Sequence, residues 1–401
     1  MSIDPAIAVA PNGDIHVVWE DTCSGPWSGD WDIFYAKYSA GAWSNATVIS
    51  DNGAWWNTGN SYEPAIAVDA SGTVHVVWKD ETSTPFSSPT DTEILYINYT
   101  VATGWSNATV ISDNGNWWNT GNSEMPQIAV DSTGTIHVVW ADETASMWGG
   151  DKEIMYVNWT SNSGWSNATI VSDNGNWWNT GDSTYPSIVL YNDTLHLVWV
   201  DDTPGEWTGG SEEEIMYATY TSSQGWSNAT VISDGYNGVW WRDGSLFEPA
   251  IAVDNLGGLH VAWSDRTHAE WLTILPRTET EILYVHYNST IGWSNITLLS
   301  DNGNWWNTES SLSPAIAAFN PEAICVIWTD STDGWWGEDT EIMGAIFGTF
   351  ALQTEGGIPG FDLTSCLFAL ILLGTAILFV RFLKYRTYRK FSPSLFFIYV
   401  S

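Results

Sequence analysis

The sequence predicts an all-β fold, a six-bladed β-propeller with four strands in each blade, and two features of a repeat predict it. A block that reads PAIAVD, HVVWxD, E-I-x-Y and then GWSNATVIS recurs about every 60 residues along the 401-residue chain. The six copies open at prolines 59, 62, 60, 63 and 65 residues apart, namely Pro5, Pro64, Pro126, Pro186, Pro249 and Pro314. Repeats of this length, built from strand-like runs between turns, are typical of radial or solenoid arrays. Four strands in each copy favour a propeller over a β-helix, whose repeats are shorter.

Each copy is expected to supply its four strands in order. PAIAVD is apolar on both faces, as in a strand that is buried on both sides, and it would line the central channel. In HVVWxD, His75 and Val77 alternate with Val76 and Trp78, and this period of two indicates the second strand. EILYINYT and its equivalents supply the third strand, and GWSNATVIS supplies the fourth, at the outer rim. The sixth copy has no WSNAT segment, so its blade is predicted to lack the outer strand.

The missing outer strand suggests the hypothesis that this sequence begins late. Propellers commonly close with a strand that is borrowed from the other end of the chain. An upstream start would supply both a WS strand and a signal peptide, since no apolar signal segment follows Met1.

Charge is distributed unevenly along the chain. Residues 1–361 contain 46 Asp and Glu against 6 Lys and Arg, whereas residues 362–401 contain one acid and five bases. The formal net charges are −40 and +4, within a chain total of −36. Such an acidic body excludes nucleic acid as a partner, because phosphate binding needs a basic face. It favours a cationic or neutral partner, a bound divalent metal, or solubility in salty surroundings.

The C-terminal end is predicted to be a membrane anchor. The 18 residues from Leu363 to Val380 carry no charge and precede five bases, which suits one span with its basic flank in the cytoplasm. The predicted domains are a propeller at 1–351, a linker at 352–362, a transmembrane helix at 363–383 and a cytoplasmic tail at 384–401. The acidic repeats would then be extracytoplasmic, whereas insertion as a tail anchor would leave them in the cytoplasm.

Cysteine is scarce and defines no disulfide framework. Cys366 lies inside the apolar run, while Cys23 and Cys325 belong to the first and sixth copies, which are neighbours in a closed ring. A bridge between Cys23 and Cys325 is therefore an open alternative.

The repeat resembles the sialidase-like (BNR-type) propeller repeats of archaeal and bacterial surface proteins, from residue 5 to about 350. Those repeats often carry an Asp box, S-x-D-x-G-x-x-W, and the turn before Trp105 keeps its Gly and Trp but has lost the Asp. For a sialidase, the resemblance implies an arginine triad from separate blades, a Tyr–Glu pair and an acid. The repeats contain only Arg242, Arg266 and Arg277, which are clustered in one stretch, so no catalytic residue is predicted.

The segment before the apolar run carries a second resemblance. Pro359-Gly360-Phe361, followed by that run and Arg381, is similar to the PGF-type sorting signals of archaeal surface proteins. This resemblance implies removal of the span and attachment to a lipid.

Tryptophan supplies most of the predicted ligand-binding residues. Of 29 Trp, 17 fall in the two classes of loop that share one face of a propeller. Ten of these form tandem pairs, each ending eight residues before the next opening Pro: Trp55 and Trp56, Trp117 and Trp118, Trp177 and Trp178, Trp240 and Trp241, Trp305 and Trp306. Adjacent residues of an extended loop point in opposite directions, so one member can pack against the neighbouring blade while the other faces outward. Flat indoles beside Asn and Asp suit sugar rings.

Carboxylates are predicted on the same face. A W-x-D-x-T pattern ends the second strands at Asp21, Asp80, Asp142, Asp201, Asp265 and Asp330. Other acids open the third strands, at Asp32, Glu93, Glu153, Glu214, Glu281 and Glu341. Asp4, Glu63 and Glu248 precede the channel strand, and Glu63 and Glu248 join the predicted ligand-binding set. The W-x-D-x-T residues are expected to cap loop amides. The remaining hypothesis is Ca²⁺ held around Asp51, Asn52 and Asn57.

Two further positions recur once in each copy. A histidine stands at His16, His75, His137, His196 and His260, with Cys325 in the sixth copy, and this placement favours structural histidines over a shared metal. Five glycosylation sequons occupy the same WSN-x-T slot of the rim strand, at Asn45, Asn107, Asn167, Asn228 and Asn295. These sequons support an extracytoplasmic location.

The sequence therefore favours a membrane-anchored, extracytoplasmic propeller that binds a glycan or another cell-surface component on a Trp-rich acidic face. A sialidase-like glycoside hydrolase and a structural cell-envelope protein are the alternatives.

Overall fold

A computed structural model shows the predicted class, an all-β fold with six blades, one for each repeat. It describes residues 1–22, 30–51, 59–81, 91–112, 121–143, 151–173, 180–203, 213–233, 246–266, 280–300, 309–321, 323–331, 341–347, 378–380 and 398–399. The chain divides into two compact units, residues 1–211 with 216–230 and residues 212–215 with 231–401.

The first unit contains blades 1 to 3 and most of blade 4. Blade 1 consists of β1 (Ser2–Val9), β2 (Ile15–Asp21), β3 (Asp32–Ser39), β4 (Ala42–Trp43) and β5 (Thr47–Val48). Blade 2 consists of β6 (Ser61–Val68), β7 (Val74–Asp80), β8 (Glu93–Thr100), β9 (Gly104–Trp105) and β10 (Thr109–Val110). Blade 3 consists of β11 (Ser123–Val130), β12 (Ile136–Asp142), β13 (Glu153–Thr160), β14 (Gly164–Trp165) and β15 (Thr169–Ile170). Blade 4 consists of β16 (Ser183–Tyr191), β17 (Thr194–Asp201), β18 (Glu214–Thr221), β19 (Gly225–Trp226) and β20 (Thr230–Val231).

The second unit contains blades 5 and 6. Blade 5 consists of β21 (Leu246–Val253), β22 (Leu259–Asp265), β23 (Glu281–Asn288), β24 (Gly292–Trp293) and β25 (Thr297–Leu298). Blade 6 consists of β26 (Ser311–Asn320), β27 (Ala323–Asp330), β28 (Glu341–Phe347), β29 (Leu378–Val380) and β30 (Ile398–Tyr399). β29 pairs with β28, so the sixth sheet continues into two short strands from the C-terminal segment and not into a WSNAT strand.

The rest of the predicted membrane span at 363–383, together with the linker and most of the tail, lies outside the described residues. Within the described part of the chain, no helix has the length and apolarity of a membrane span. Cys325 carries a free, half-buried thiol, and its proposed partner Cys23 lies outside the described residues.

The outer strand of blades 1 to 5 differs from the prediction of one continuous element. It consists of two pieces of two residues, and both pair with the third strand. In blade 1 the two pairings differ by one residue of register. Between them, the Ser44 amide donates to the Lys37 carbonyl (2.8 Å), and the Ser44 Oγ accepts from the Lys37 amide (3.0 Å). A side-chain hydroxyl thus replaces a backbone carbonyl in the ladder, and the strand breaks there. Ser106, Ser166, Ser227 and Ser294 repeat this bond.

The core lies between blades. Val18, Ile33 and Ile49 of blade 1 pack in one buried cluster with Val76 and Trp78 of blade 2. The same arrangement joins Ile94 of blade 2 to Trp140 of blade 3 and, in the second unit, Ile282 of blade 5 to Trp328 of blade 6. The second strand of blade 2 is covered in this way on both of its faces. The residues on both faces of that strand are therefore apolar.

The repeated histidines are structural, as predicted. Each one hydrogen-bonds through Nδ1 to a third-strand Tyr hydroxyl at 2.7 or 2.8 Å: His16 to Tyr35, His75 to Tyr96, His137 to Tyr156, His196 to Tyr217 and His260 to Tyr284. Burial lowers the pKa of all five imidazoles, that of His196 to about 4.

The outer-strand tryptophans join neighbouring blades. Trp105 of blade 2 packs edge-on against Tyr35 of blade 1, with ring centroids 4.9 Å apart, and Trp165 packs in the same way against Tyr96 at 5.0 Å. In blade 6, Phe347 stacks on Tyr284 of blade 5 at 5.4 Å and takes the place of the missing Trp. The WS tryptophans of blades 2 and 3 are therefore packing residues between blades.

Candidate functional site at the bulged strand ends

The first strand of every blade contains a β-bulge at its opening Pro. In blade 2, Glu63 and Pro64 together oppose the single residue Trp78, and the same shift occurs in the other five blades. The first strand is the edge strand of its sheet, where a Pro is tolerated at a bulge because it has no N–H to donate. Two expectations about the first strand were therefore wrong. It begins three residues before the Pro and not at the Pro. It is only partly buried and not buried on both sides, because an edge strand has one neighbour.

The residue before each of these prolines has a left-handed backbone. Six non-glycine residues share this conformation, with φ between 47° and 56°: Asp4, Glu63, Met125, Tyr185, Glu248 and Ser313. Left-handed backbone costs a side-chain-bearing residue about 1–2 kcal/mol. Strain that recurs at equivalent positions is a property expected of functional sites. Two of the predicted ligand-binding residues, Glu63 and Glu248, are in this set.

We call the end of a blade where the first strand begins and the second strand ends its bulge end. In blades 2 and 3 this end holds a network of charges. The Glu63 carboxylate accepts a hydrogen bond from the Met125 amide of the next blade (2.7 Å). Lys79 Nζ lies 2.9 Å from Glu124 Oε1 and 3.8 Å from Glu63 Oε1, and Lys152 Nζ lies 2.9 Å from Glu124 Oε2. The Lys79 ammonium is thus held by carboxylates from two adjacent blades, and the Lys152 ammonium by carboxylates of its own blade.

At the bulge end of blade 1, the carboxyl groups of Glu20 and Asp4 lie together, next to the backbone amide of Glu63. Glu20 is only 2% exposed, and among the described residues no donor reaches its Oε2 atom. The exposed Asp4 carboxyl lies within hydrogen-bonding reach of Glu20, and the Glu63 amide donates to the Glu20 carboxylate. Burial, followed by the bond and the charge of Asp4, raises the pKa of Glu20 to about 8.

The W-x-D residues are structural, as expected, and they bind more than loop amides. In blade 2 the Asp80 Oδ2 accepts from the Trp78 indole (2.8 Å) and from the Ser61 hydroxyl (2.9 Å). The indole bond recurs at Asp142, Asp201, Asp265 and Asp330. The predicted capping of a loop amide is present at Asp201, which accepts from the Thr203 amide (3.0 Å).

Blade 1 differs from this pattern. Asp21 accepts from the Ser2 hydroxyl and lies 3.5 Å from the amino group of Met1. In the described part of the chain, the Trp19 indole makes no bond to Asp21; it stacks on Phe34, with centroids 5.8 Å apart.

The acids that open the third strands are also held by the fold. In blade 2 the Ser112 hydroxyl donates to Glu93 (2.6 Å) and accepts from the Ile94 amide (2.8 Å). The same serine bond is made to Asp32, Glu153, Glu214 and Glu281. Burial raises the pKa of Glu153 to about 8 and that of Asp32 to about 6. These carboxyl groups are buried, apart from the half-buried Glu281, and each is held by its serine.

Of the three residues in the calcium hypothesis, one belongs to the described part of the chain. Asp51 is 9% exposed and its Oδ1 has no hydrogen-bond donor among the described residues, while Asn52 and Asn57 lie outside them. Within the described ranges, no three His, Cys, Asp or Glu side chains are grouped closely enough to hold a metal ion.

The ten tandem tryptophans all lie outside the described residues, as do Arg242 and Arg277, whereas Arg266 is exposed. Sequence reasoning missed Glu20, Lys79 and Glu124 as site residues. The W-x-D pattern could have identified Glu20 and Lys79, because each is the central residue of that pattern and precedes an Asp that ends a strand.

The five predicted glycosylation residues, Asn45, Asn107, Asn167, Asn228 and Asn295, are all exposed. Each follows the serine that interrupts the outer strand, so it stands in the gap between the two short pieces.

No protein-family model matches this sequence, and a search of curated proteins finds no relative. Solved structures share its fold. A protein of unknown function from Dyadobacter fermentans is 11% identical, with a TM-score of 0.53 over 87% of this chain and 95% of that chain. A PL25 ulvan lyase, a polysaccharide lyase bound to -[GlcA(1-4)Rha3S]-, is 13% identical, with a TM-score of 0.53 over 86% of this chain and 82% of that chain. The GH93 α-L-arabinofuranosidase of Fusarium graminearum, in complex with arabinobiose, is 14% identical, with a TM-score of 0.53 over 82% and 88%.

At these identities the likeness shows the fold alone. It confirms the propeller part of the predicted resemblance. Sialidases are also among the matched structures, at TM-scores of 0.46 to 0.49, and a likeness at that level does not extend to activity. The PGF-type sorting signal gains no support from these comparisons.

Proposed function

We propose that this protein is a glycan-binding propeller and that the ligand lies across the bulge ends of its blades, against the Trp-rich loops. The observation that carries the proposal is Trp31, the loop tryptophan that the described residues include. Its carbonyl accepts from the Ser61 amide (2.7 Å), and its half-exposed ring lies 6.2 Å from that of Tyr62. An accessible indole thus stands beside the strained bulge at Glu63 and its carboxylates.

The tandem tryptophans belong to loops that start and end at the bulge ends. The segment with Trp55 and Trp56 follows Asp51 and precedes Gly59, next to the first residues of β6. Indole faces next to carboxylates and amides are the surfaces that stack on sugar rings and bind their hydroxyl groups. The ulvan lyase and the arabinofuranosidase carry sugars in their structures, and this supports the proposal by analogy of fold alone.

A glycan array probed with the full chain tests this function. The variant Trp117→Ala/Trp118→Ala should lose binding by at least tenfold, because two stacking faces are removed. The matched control is Trp43→Ala, which removes an indole that is 55% exposed on the outer strand β4 and should leave binding unchanged. Unchanged binding in the double variant, with only a lower melting temperature, would favour the structural cell-envelope alternative. Release of reducing ends from the bound sugar would favour the glycoside hydrolase alternative.

We also propose that the chain is held at a membrane by the segment at 363–383, in which case residues 378–380 leave their pairing with β28, and that it carries glycans at the five WSN-x-T asparagines. Exposure of all five in the outer-strand gap supports modification there. Full-length protein should sediment with membranes, whereas a chain that ends at residue 361 should be released. Replacing the five Asn by Gln should remove the glycan mass and leave the melting temperature within about 2 °C, because these side chains are on the surface.

A further inference from the structure

The bulge end of a blade is joined to the blade before it through one residue that precedes a third strand, which we call the junction residue. Between blades 1 and 2 this residue is Trp31. Its carbonyl accepts from the Ser61 amide (2.7 Å), and its amide donates to Asn60 Oδ1 (3.0 Å). The same pair of bonds, at 2.7 to 3.3 Å, is made by the junction residues Thr92, Lys152 and Thr280. The backbone of the junction residue is thus fixed on both sides, whichever side chain it carries.

The side chain at this fixed position differs between blades. In chain order the six junction residues are Trp31, Thr92, Lys152, Glu213, Thr280 and Thr340. Thr92 and Thr280 are buried, whereas the Trp31 ring is half-exposed. The first copy alone has an aromatic residue there, so the bulge ends of otherwise similar blades present different surfaces. A ligand that needs an indole at the junction would therefore bind between blades 1 and 2 and not once in every blade.

A second ring and a carboxylate accompany Trp31. The rings of Trp31 and Tyr62 lie 6.2 Å apart and are tilted by 43°. Asn60, which accepts from the Trp31 amide, donates through Nδ2 to Glu81 Oε2 (2.7 Å), and the Glu81 amide donates to the Asn60 carbonyl (2.9 Å). Burial and then the charge of Glu81 raise the pKa of the Tyr62 hydroxyl, so the carboxylate lies near that ring. The Glu81 side chain is exposed, so its carboxylate is accessible to a ligand.

These groups suit a neutral sugar. Aromatic faces stack on the C–H faces of a pyranose, and a carboxylate accepts hydrogen bonds from its hydroxyl groups. Equatorial hydroxyl groups leave those C–H faces flat, as stacking on an indole requires. A sugar acid would need a cation, and at this end of the first unit Lys79 and Lys152 are already paired with carboxylates. The net charge of −40 on residues 1–361 also repels an anionic ligand.

We propose that Trp31, Tyr62, Asn60 and Glu81 form one sugar subsite in each chain, selective for a neutral pyranose with equatorial hydroxyl groups, as in cello-oligosaccharides. The inference rests on the proposed glycan-binding function and specifies its sugar class. The two rings stack on the pyranose, and Glu81 accepts hydrogen bonds from neighbouring hydroxyl groups. Asn60 is a positioning residue, since it binds both the Trp31 backbone and the Glu81 carboxylate.

Calorimetric titration of the full chain with two matched oligosaccharides tests the sugar class. One is cellohexaose, and the other is its oxidised form, in which every primary hydroxyl has become a carboxylate. Cellohexaose should bind once per chain and about tenfold or more tightly than the oxidised form, because the acidic protein repels the added charges. A stoichiometry of one ligand per blade would overturn the single subsite, and equal or tighter binding of the oxidised form would overturn the selectivity for a neutral sugar.

Failure of cellohexaose to bind would overturn the assignment of the sugar class. It is distinguishable from failure of the proposed function, because a glycan array would then still report binding that depends on Trp117 and Trp118. An array without any bound glycan would overturn both.

Two substitutions of Trp31 separate stacking from folding. Trp31→Ala should weaken cellohexaose binding about tenfold or more, because it removes a stacking face, whereas Trp31→Phe keeps such a face and should restore most of the affinity. Both variants keep the backbone bonds of the junction residue. Trp43→Ala, which removes an exposed indole of the same blade, is the control and should bind normally. Unchanged binding in Trp31→Ala, or equal losses in the Ala and Phe variants, would overturn the stacking role.

The carboxylate is tested by the ratio of the two affinities. Glu81→Gln keeps an acceptor for Asn60 and removes the charge, so the preference for cellohexaose over its oxidised form should narrow about threefold or more. Glu309→Gln removes an exposed carboxylate at the bulge end of blade 6, where the junction residue is Thr280, and should leave the ratio unchanged. Equal ratios in the natural protein and Glu81→Gln would overturn the placement of the sugar against Glu81.

Discussion

Burial raises the pKa of individual carboxyl groups at the bulge ends. Glu153 is buried beside Asp173, Asp201 and Asp151, and burial is the largest reason that its pKa rises from 4.5 to about 8. The folded protein therefore holds a proton that the unfolded chain releases above pH 4.5. The contribution of this group to stability is fully present below pH 4.5 and is lost as the pH rises toward 8.

The first prediction concerns this proton. Between pH 5 and 8, Glu153 should lower the free energy of unfolding by about 1.4 kcal/mol for each pH unit. Glu153→Gln keeps an acceptor for Ser172 and should reduce the slope of the whole protein by that amount, as measured by urea unfolding at several pH values. Glu81→Gln, at an exposed site, should retain the slope of the natural protein. An unchanged slope in Glu153→Gln would mean that the buried carboxyl group is already ionised at neutral pH.

A second prediction at this scale concerns the serine that holds each third-strand acid. Ser112→Ala removes both the acceptor for the Ile94 amide and the donor to Glu93, and all three groups are buried. We expect a loss of about 2–4 kcal/mol, because two buried polar groups lose their partner. Ser44→Ala breaks a similar bond to the Lys37 amide at an exposed site, where water replaces it, and should cost under about 1 kcal/mol. Equal losses in the two variants would contradict the role given to burial.

At the scale of the element, the bulged first strand explains why an apolar block with an internal Pro still forms an edge strand. The bulge accommodates Pro, which has no N–H to donate to the strand pairing. The left-handed residue before the Pro allows the pairing to resume after the bulge. In the second unit, the amide of the strained Ser313 donates to the Ser264 hydroxyl of the adjacent blade (3.2 Å). The bulge thus links blades as well as bending the strand.

The third prediction follows from this strain. Ser313→Gly should stabilise the protein by about 0.5–1 kcal/mol, because glycine adopts a left-handed φ of 54° at no steric cost and the Ser side chain is exposed. Ala315→Gly lies two residues further along the same strand, in paired extended backbone, and should instead destabilise it by about 0.5–1 kcal/mol. Thermal unfolding of both variants gives the comparison. If both substitutions destabilise equally, residue 313 is not strained in solution.

At the scale of the whole molecule, excess negative charge opposes the compact state. Residues 1–361 carry a net charge of −40, and the described residues pair only a few of their acids with lysine. Self-repulsion of this kind is reduced by salt, since the Debye length falls from about 30 Å at 0.01 M to about 3 Å at 1 M.

The fourth prediction is that the melting temperature rises with ionic strength, by several degrees between 10 mM and 0.5 M NaCl. Tetramethylammonium chloride at equal ionic strength is the control, because it screens charge without entering small carboxylate sites. Equal stabilisation by the two salts supports screening, whereas an effect of sodium alone would indicate a specific cation site. A melting temperature that is independent of both salts would contradict the argument.

The fold was largely predictable because the same strand pattern occurs six times in the sequence. The spacing of the prolines and the alternation in HVVWxD predicted six blades and the second and third strands, which the structure confirms. The outer strand was less predictable, since its break depends on the Ser44 hydroxyl and its register against Lys37, and periodicity does not report which partner a hydroxyl binds. The structural histidines were predictable from their placement, although their Tyr partners were not.

The candidate site was predictable in residue type and less so in geometry. Glu63 and Glu248 were chosen because they precede a Pro, and both are left-handed bulge residues. Glu20 was missed, because nothing in one repeat distinguishes a surface acid from one that neighbouring blades bury.

The sequence by itself determined the number of blades, the order of strands and the acidity of the chain, because these follow from local pattern and composition. Only the tertiary structure decided which carboxyl groups meet. The Glu20 carboxyl group meets Asp4 of its own blade and the Glu63 amide of the next blade, so its surroundings, and the raised pKa that burial gives it, arise from packing between repeats.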